Sequence, residues 1–260
     1  MLYIKYIIIF NKVGDYMKKP AIIFFDYAQT LLNEAQFNGT AGTEAVLKLA
    51  KKNPLNITAT ELLKFDGKLN QEIGRYNPNL EDKYLFEIHN HNFLKFLYDY
   101  FMLEFDLSFD ELETIFWDNA APCTLTPHIE ELLKYLSESN IRTAVVSNIS
   151  YSGNSLKNRL NKFLPHNNFE FVIASSEYVF RKPHPLIFEL ALRKANVSQS
   201  DAWFCGDSIL CDVQGSNTAN IRAFWYTGAY YNRQNVVPPK SPHIEIDDWL
   251  KLVEFIKQSN

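Results

Sequence analysis

The stretch 21-AIIFFDYAQTL-31 decides the fold. Its first five residues are apolar without interruption, where a strand with one wet face would alternate. They read as a strand buried on both faces, as in a parallel sheet covered by helices. Asp26 ends that run. A lone carboxylate at the tip of a greasy strand is costly, so Asp26 needs a partner, a cation or a chemical task. Thr30 follows on the turn with a free hydroxyl. Two residues after Asp26 stands Ala28, where a second carboxylate would suit a phosphate-handling site.

Working outward, similar runs recur at 142–147 (RTAVVS), 169–175 (FEFVIAS), 201–206 (DAWFCG) and 221–226 (IRAFWY). Between them lie helix-like stretches at 127–139, 153–163, 184–195 and 211–219, and a closing helix at 247–258 with Asp247 as its N-cap. Strand–helix alternation of this kind predicts an α/β, Rossmann-like parallel sheet. From Asn38 to Ala120 the alternation stops and helical signals take over. Thr43 can cap 44–52, residues 58–74 and 84–105 carry apolar residues at helical spacing, and Ser108-Phe-Asp-Glu111 is a capping box for a helix to Asp118. The expectation is an inserted all-helical cap over 35–121, with the core domain in two pieces, 17–34 and 122–260. Residues 1–16 are expected to be a non-native or loosely ordered extension. Their apolar run, Tyr6 to Phe10, is too short to span a membrane. Val13-Gly14-Asp15 can also be encoded by a ribosome-binding sequence just ahead of Met17.

Composition narrows the function. The chain has 260 residues, 47% apolar and 15% aromatic, which is ample for one large or two small cores. A net charge of −4 points away from nucleic acid and from anionic membranes. Cys123, Cys205 and Cys211 form no CxxC pair and no disulfide framework, so a reducing cytoplasm is the expected location.

Four segments that each follow a predicted strand carry the chemistry, because the carboxyl ends of parallel strands open on one crevice. The first is Asp26 with Thr30. The second is Ser147-Asn148, a hydroxyl and free backbone N–H groups able to hold phosphate oxygens. The third is Lys182, before Pro183, a point charge able to offset a phosphoryl group and a carboxylate together. The fourth is 206-GDSILCD-212, whose Asp207 and Asp212 join Asp26 in a hard oxygen-ligand site suited to Mg²⁺. Each is weak alone. Their order, Asp…Ser…Lys…Asp-x4-Asp, is not, since three acids around one crevice repel unless a cation joins them.

With those residues in view, the chain from Ala21 to about residue 256 resembles the haloacid dehalogenase-like hydrolases. FFDYAQTL is similar to the family's first motif, Ser147 to the second, Lys182 within RKPHPLIFELAL to the third and GDSILCD to the fourth. The helical insertion after the first strand resembles a C1 cap. The resemblance implies that Asp26 attacks phosphorus and forms an aspartyl-phosphate that water then hydrolyses. It implies Mg²⁺ held by Asp26, the backbone carbonyl of Ala28 and Asp207, with Asp212 behind them. Thr30, Ser147 and Lys182 would be catalytic, and Ser147, Asn148 and Lys182 would bind a small phosphorylated metabolite. The first motif departs from the family's Asp-x-Asp-Gly-Thr, and Val179 stands where many relatives have glycine.

Ala28 removes a proton shuttle that is typically worth about 10²–10⁴ in rate. Three readings follow. The chain is a phosphatase with a substituted acid. It is a phosphonate C–P hydrolase that uses a cap lysine, Lys64 or Lys68. Or it is an impaired module that binds a phosphorylated ligand or a protein partner. Six histidines (His89, His91, His128, His166, His184 and His243) show no regular metal-ligand spacing, and His89 and His91 are expected to point in different directions from one helix. The 228–243 segment reads as a long proline-containing loop. Oligomeric state and substrate identity are not legible.

Overall fold

The computed structural model describes residues 18–74, 86–229 and 238–259. The expected extension at 1–16 and half of the 228–243 loop, 230–237, lie outside the described residues. Six parallel strands form the sheet: β1 (Ile22–Phe25), β4 (Arg142–Ser147), β5 (Phe169–Ala174), β6 (Ala202–Gly206), β7 (Arg222–Tyr226) and β8 (Ile244–Ile246), in the order β5-β4-β1-β6-β7-β8. Strand β1 is central, with Phe25 opposite Val145 on one side and Cys205 on the other.

The uninterrupted apolar run has its predicted cause. Ile23 and Phe25 pack into the core under α5 (Ile129–Glu138), α6 (Gly153–Phe163) and α10 (Trp249–Gln258), while Ile22 and Phe24 pack under α8 (Pro185–Ala195) on the opposite face. All four are fully buried, each worth about 1.5–3 kcal/mol of apolar burial. The short helices α7 (Ser175–Tyr178) and α9 (Gly215–Thr218) complete the connections on this core.

The helical block is α1 (Gly39–Leu47), α2 (Ala59–Glu72), α3 (Asn90–Tyr100) and α4 (Phe109–Ala120), around a core that includes Val46, Leu62, Leu97, Phe101 and Leu112. The expected capping box of Ser108 with Glu111 is present, and Thr58 with Glu61 forms a second one at the start of α2. The block is joined to the core through a two-stranded antiparallel ribbon, β2 (Leu32–Glu34) with β3 (Cys123–Leu125).

Several boundaries differ from the sequence reading. Asn38, not Thr43, caps α1. The helix starts earlier because Gly42 must pack on α4, where a Cβ would come within 2.7 Å of the Phe116 carbonyl. The helix expected over 84–105 begins only at Asn90, since Phe86 is drawn off to pair with Phe180. Asp248 rather than Asp247 caps α10. The stretch 211–219 is not one regular helix. A wide π-type turn at Ile209–Gln214 precedes α9. The strands β2, β3 and β8 went unread because three residues give too little alternation to register.

Val179 shows what a missing glycine costs. Its φ of 68° and ψ of −41°, with the Phe180 N–H donating to the Tyr178 carbonyl at 2.7 Å, make a γ-turn. This is a strained conformation for a β-branched residue. Gln29, at the glycine position of the first motif, likewise has φ 57°.

Candidate active site

Strand β1 delivers Asp26 to the carboxyl edge of the sheet, where its N–H donates to the Cys205 carbonyl at 2.9 Å. Ser147 closes β4 beside it and is buried. Gly206 closes β6, and the turn that follows brings Asp207 and Asp212 back over the strand tip. A Cβ on Gly206 would lie 2.3 Å from the Asp212 carboxyl carbon, so only glycine lets that carboxylate lie there. The Ser208 N–H donates to Asp212 Oδ2 at 2.8 Å. Wide helical turns of this sort concentrate at functional sites.

Lys182 reaches in from the loop after β5. Its ammonium donates to Asp26 Oδ1 and to Asp212 Oδ1, each at 2.6 Å, and the side chain is only 1% exposed. Burial alone would lower its pKa, but the charges of Asp212 and Asp26 outweigh that and hold it above the ordinary lysine range. Burial pushes the Asp212 carboxyl up to about 7, with Lys182 opposing and the charges of Asp26 and Asp207 adding to the rise.

Asp26, Asp207 and Asp212 each place a carboxylate oxygen so that all lie within 4.8 Å of one another. Three carboxylate oxygens gather there beside one buried ammonium, that of Lys182. The donors are all oxygen. Both facts fit a small hard divalent ion such as Mg²⁺. Thr30 is fully buried and its hydroxyl oxygen has no hydrogen-bond partner, an orphan that suits a bound phosphoryl oxygen.

The structure thus brings together Asp26, Lys182, Asp207 and Asp212 from three separate segments, with Ser147 at the end of the strand beside β1 and Thr30 on the turn after Asp26. The Asn148 side chain has a task of its own. Its amide donates to the Lys182 carbonyl and accepts from the Lys182 N–H, both at 2.7 Å, so it braces the loop that carries the lysine. Lys64 and Lys68 are both exposed on α2, and Lys68 pairs with Glu72 at 3.7 Å. Neither lines the cap cavity, which gives no support to a cap-lysine Schiff base.

The sequence reading missed a second buried cluster. Arg159 of α6 donates to the Tyr27 hydroxyl at 2.6 Å, to Asp118 at 2.7 Å and to the Ala121 carbonyl, and it stacks over Trp117. Glu34 completes the group, accepting from Tyr27 at 2.8 Å and Trp117 at 2.7 Å. Burial raises the Glu34 pKa even against those donors. The network fastens the β2–β3 connection to the core. An arginine in mid-helix, outside every motif, offers no periodic or spacing signal.

The helical block sits down on the loops that carry the site. Asn90 N–H donates to the Ser150 carbonyl at 2.8 Å, and Ser152 N–H donates to Glu113 at 3.0 Å. A cavity of about 380 Å³, lined among others by Phe37, Leu62, Leu97, Phe116, Ser150 and Tyr151, lies between the block and the loop after Ser147-Asn148.

A sequence model of the haloacid dehalogenase-like hydrolases matches residues 23–226, most of the chain and all four motif segments. The chain belongs to that family. It is a hydrolase of the family with an inserted helical cap. It is 23% identical to a glyceraldehyde 3-phosphate phosphatase of Pyrococcus furiosus over 94% of its own length and 96% of that protein. It is 31% identical to human haloacid dehalogenase-like hydrolase domain-containing protein 3, over 45% of this chain and 46% of the human one. Among solved structures it is similar to a HAD phosphatase from Thermococcus onnurineus (TM-score 0.58, 20% identity, 92% of this chain and 98% of that one). It is nearly as similar to a 2-haloacid dehalogenase from Pseudomonas syringae (TM-score 0.56, 19% identity, 93% and 99%). Fold alone therefore does not separate phosphatase from dehalogenase. No described helix is long and apolar enough to cross a membrane.

Proposed function

We propose that this hydrolase is a phosphatase acting on small phosphorylated metabolites through a covalent phosphoryl group on Asp26. The observation that carries the reading is the convergence of Asp26, Asp207 and Asp212, one oxygen from each within 4.8 Å of the others, beside Lys182. A phosphoryl site needs such an all-oxygen cluster, because the divalent ion it holds also offsets the anionic substrate. The named phosphatases among its relatives point the same way.

Asp26, Asp207 and the Ala28 carbonyl would hold the ion, with Asp212 supporting them. A Mg²⁺ ion bound there supplies charge neutralisation at the phosphoryl oxygens. The chain's own residues do the rest. A carboxylate oxygen of Asp26 forms the bond to phosphorus as the bond to the leaving oxygen breaks. Water then attacks the same phosphorus, releases inorganic phosphate and restores the Asp26 carboxylate. Lys182 fixes the orientation of Asp26 by donating to its Oδ1. Thr30 and Ser147 donate to phosphoryl oxygens. The leaving oxygen takes its proton from solvent or substrate, since Ala28 has none to give, which favours esters whose leaving groups are already stable anions. The expected cap, 35–121 over a core of 17–34 and 122–260, receives the non-phosphate end of the substrate. A cytoplasmic location agrees with this chemistry.

The test is turnover of an aryl or acyl phosphate with and without Mg²⁺, in the natural chain and in Asp26→Asn. The reading expects Mg²⁺-dependent turnover that Asp26→Asn abolishes. No turnover across a broad panel of phosphate esters, or turnover that survives Asp26→Asn, would overturn it.

A further inference from the structure

The sequence offered no reason to single out His91, and the expectation that it points away from His89 does not hold. His89 precedes α3 rather than lying within it. With extended backbone, its ring turns back to cap the helix, accepting from the His91 N–H at 3.2 Å, and the two rings meet edge to face with centroids 4.6 Å apart. That contact holds the His91 ring over the first turn of α4. There His91 Nε2 lies 3.1 Å from Glu113 Oε2 and 3.4 Å from Asp110 Oδ1.

We infer that His91, Asp110 and Glu113 form a second metal site, for a divalent transition ion of the zinc type, separate from the carboxylates around Lys182. Three observations carry it. First, Nε2 is shut off from solvent and makes no hydrogen bond, although two carboxylate oxygens stand within 3.4 Å of it. The nitrogen points between the oxygens rather than at either. Ligand atoms about 2.0–2.1 Å from a shared ion, at angles between octahedral and tetrahedral, are themselves about 2.9–3.4 Å apart. The two measured separations fall in that window.

Second, the charge is unbalanced among the described residues. Glu113 is fully buried, and the other described donors to the two carboxylates are neutral: the Asn90 and Asn154 amides, the Ser152 N–H and the hydroxyls of Ser152 and Ser155. The N-terminus of α6 contributes only about half a positive charge. A divalent ion brings two carboxylates and a neutral imidazole to zero. Third, the Asn90 and Asn154 amides hold the far oxygens, Glu113 Oε1 and Asp110 Oδ2, while Ser152 and Ser155 share the near ones, as supporting hydrogen bonds do around metal ligands. One nitrogen and two carboxylate donors select zinc-type ions over Mg²⁺, which prefers oxygen alone. An ion there ties α3 to α4, and through Ser152 and Ser155 it ties the helical block to the core.

The test uses the full, untagged chain carrying Asp207→Asn, which disables the all-oxygen site. After removal of metal with a chelator, Zn²⁺ is titrated by calorimetry at pH 7.5, and Co²⁺ is followed by visible absorption. The expected result is one equivalent of Zn²⁺, weakened at least about 100-fold by His91→Ala, with the Co²⁺ bands lost in the same variant. Should His91→Ala fail to fold, Asp110→Asn carries the test, with at least about tenfold weaker binding expected. No zinc binding in the Asp207→Asn chain, or binding that the folded variant leaves unchanged, would overturn the inference.

Discussion

Arg159 and Lys182 are both buried cations, 3% and 2% exposed, and each meets two carboxylates. Around Arg159 the charges close. Arg159 and Lys162 face Glu34 and Asp118, two against two, and each nitrogen of the guanidinium has its own acceptor. Around Lys182 the arrangement differs. Its one ammonium bridges Asp26 and Asp212, whose oxygens converge with one of Asp207 to within 4.8 Å of one another. A cluster whose donors and acceptors all point at each other serves as a fastening. A cluster of converging ligand atoms is shaped to share a cation. His91, Asp110 and Glu113 converge in the same way.

The contrast can be broken by exchanging the two cations for apolar residues of similar reach. Lys182→Met is expected to lower turnover by about 10²–10³-fold or more, since it removes a charge aimed at the transferring group. Steady-state kinetics at saturating Mg²⁺ reads this. Arg159→Met is expected to do the opposite. It should cost about 3–5 kcal/mol of stability, the usual result of stranding buried partners, and leave turnover by the folded fraction nearly unchanged. Urea denaturation and kcat measured side by side would separate the two. Arg159→Lys should rescue little, because a point charge cannot replace the guanidinium fork.

Ala28→Asp sharpens the comparison from the other side, by adding the missing acid to the cluster beside Lys182. Turnover of alkyl phosphates should rise, toward the low end of the about 10²–10⁴ that a general acid supplies. Aryl phosphates, whose leaving groups need no proton, should gain far less. Equal gains for both would show that the proton is not what Ala28 withholds.

The motif segments were legible because they lie at strand ends, where one polar residue interrupts a run of apolar ones. Asp26 after AIIFF and Asp207 after the 202–206 strand stand out for that physical reason. The sheet was legible in the same way, and Ile22 to Phe25 show both faces in four letters. What escaped depends on distance in the chain. Arg159 finds Tyr27 from 132 residues away. His91 meets Glu113 across two helices, and its direction was set by a helix starting six residues later than the pattern suggested. Asn148 was legible as a polar residue past a strand, but its pairing with Lys182 depends on the loop 34 residues on.

The burial of Asp212 among these groups also predicts how stability follows pH. The Asp212 carboxyl is raised to about 7, first by burial and then by Asp26 and Asp207, against Lys182. The folded chain therefore binds more protons than the unfolded chain between the ordinary carboxylate range and about pH 7. In chelator, stability should be highest at the acid end of that window and fall as pH rises through about 7. Mg²⁺ should restore it. Melting temperatures from pH 5.5 to 8, with and without Mg²⁺, test both signs. The smallest expected effect is at Val179. Val179→Gly relieves a γ-turn strain of about 1–3 kcal/mol against about 0.5–1 kcal/mol of added chain entropy. A net gain of roughly 1 kcal/mol should appear as a higher melting temperature.

The central claim is that Asp26 and Asp207 grip one hard divalent ion beside Lys182. Calorimetric titration of the chelator-treated chain with Mg²⁺, in the natural sequence and in Asp207→Asn, tests it most directly. The account predicts one Mg²⁺ per chain, weakened at least about tenfold by the substitution, with phosphatase turnover lost in parallel. Mg²⁺ affinity and turnover that Asp207→Asn leaves unchanged would contradict it.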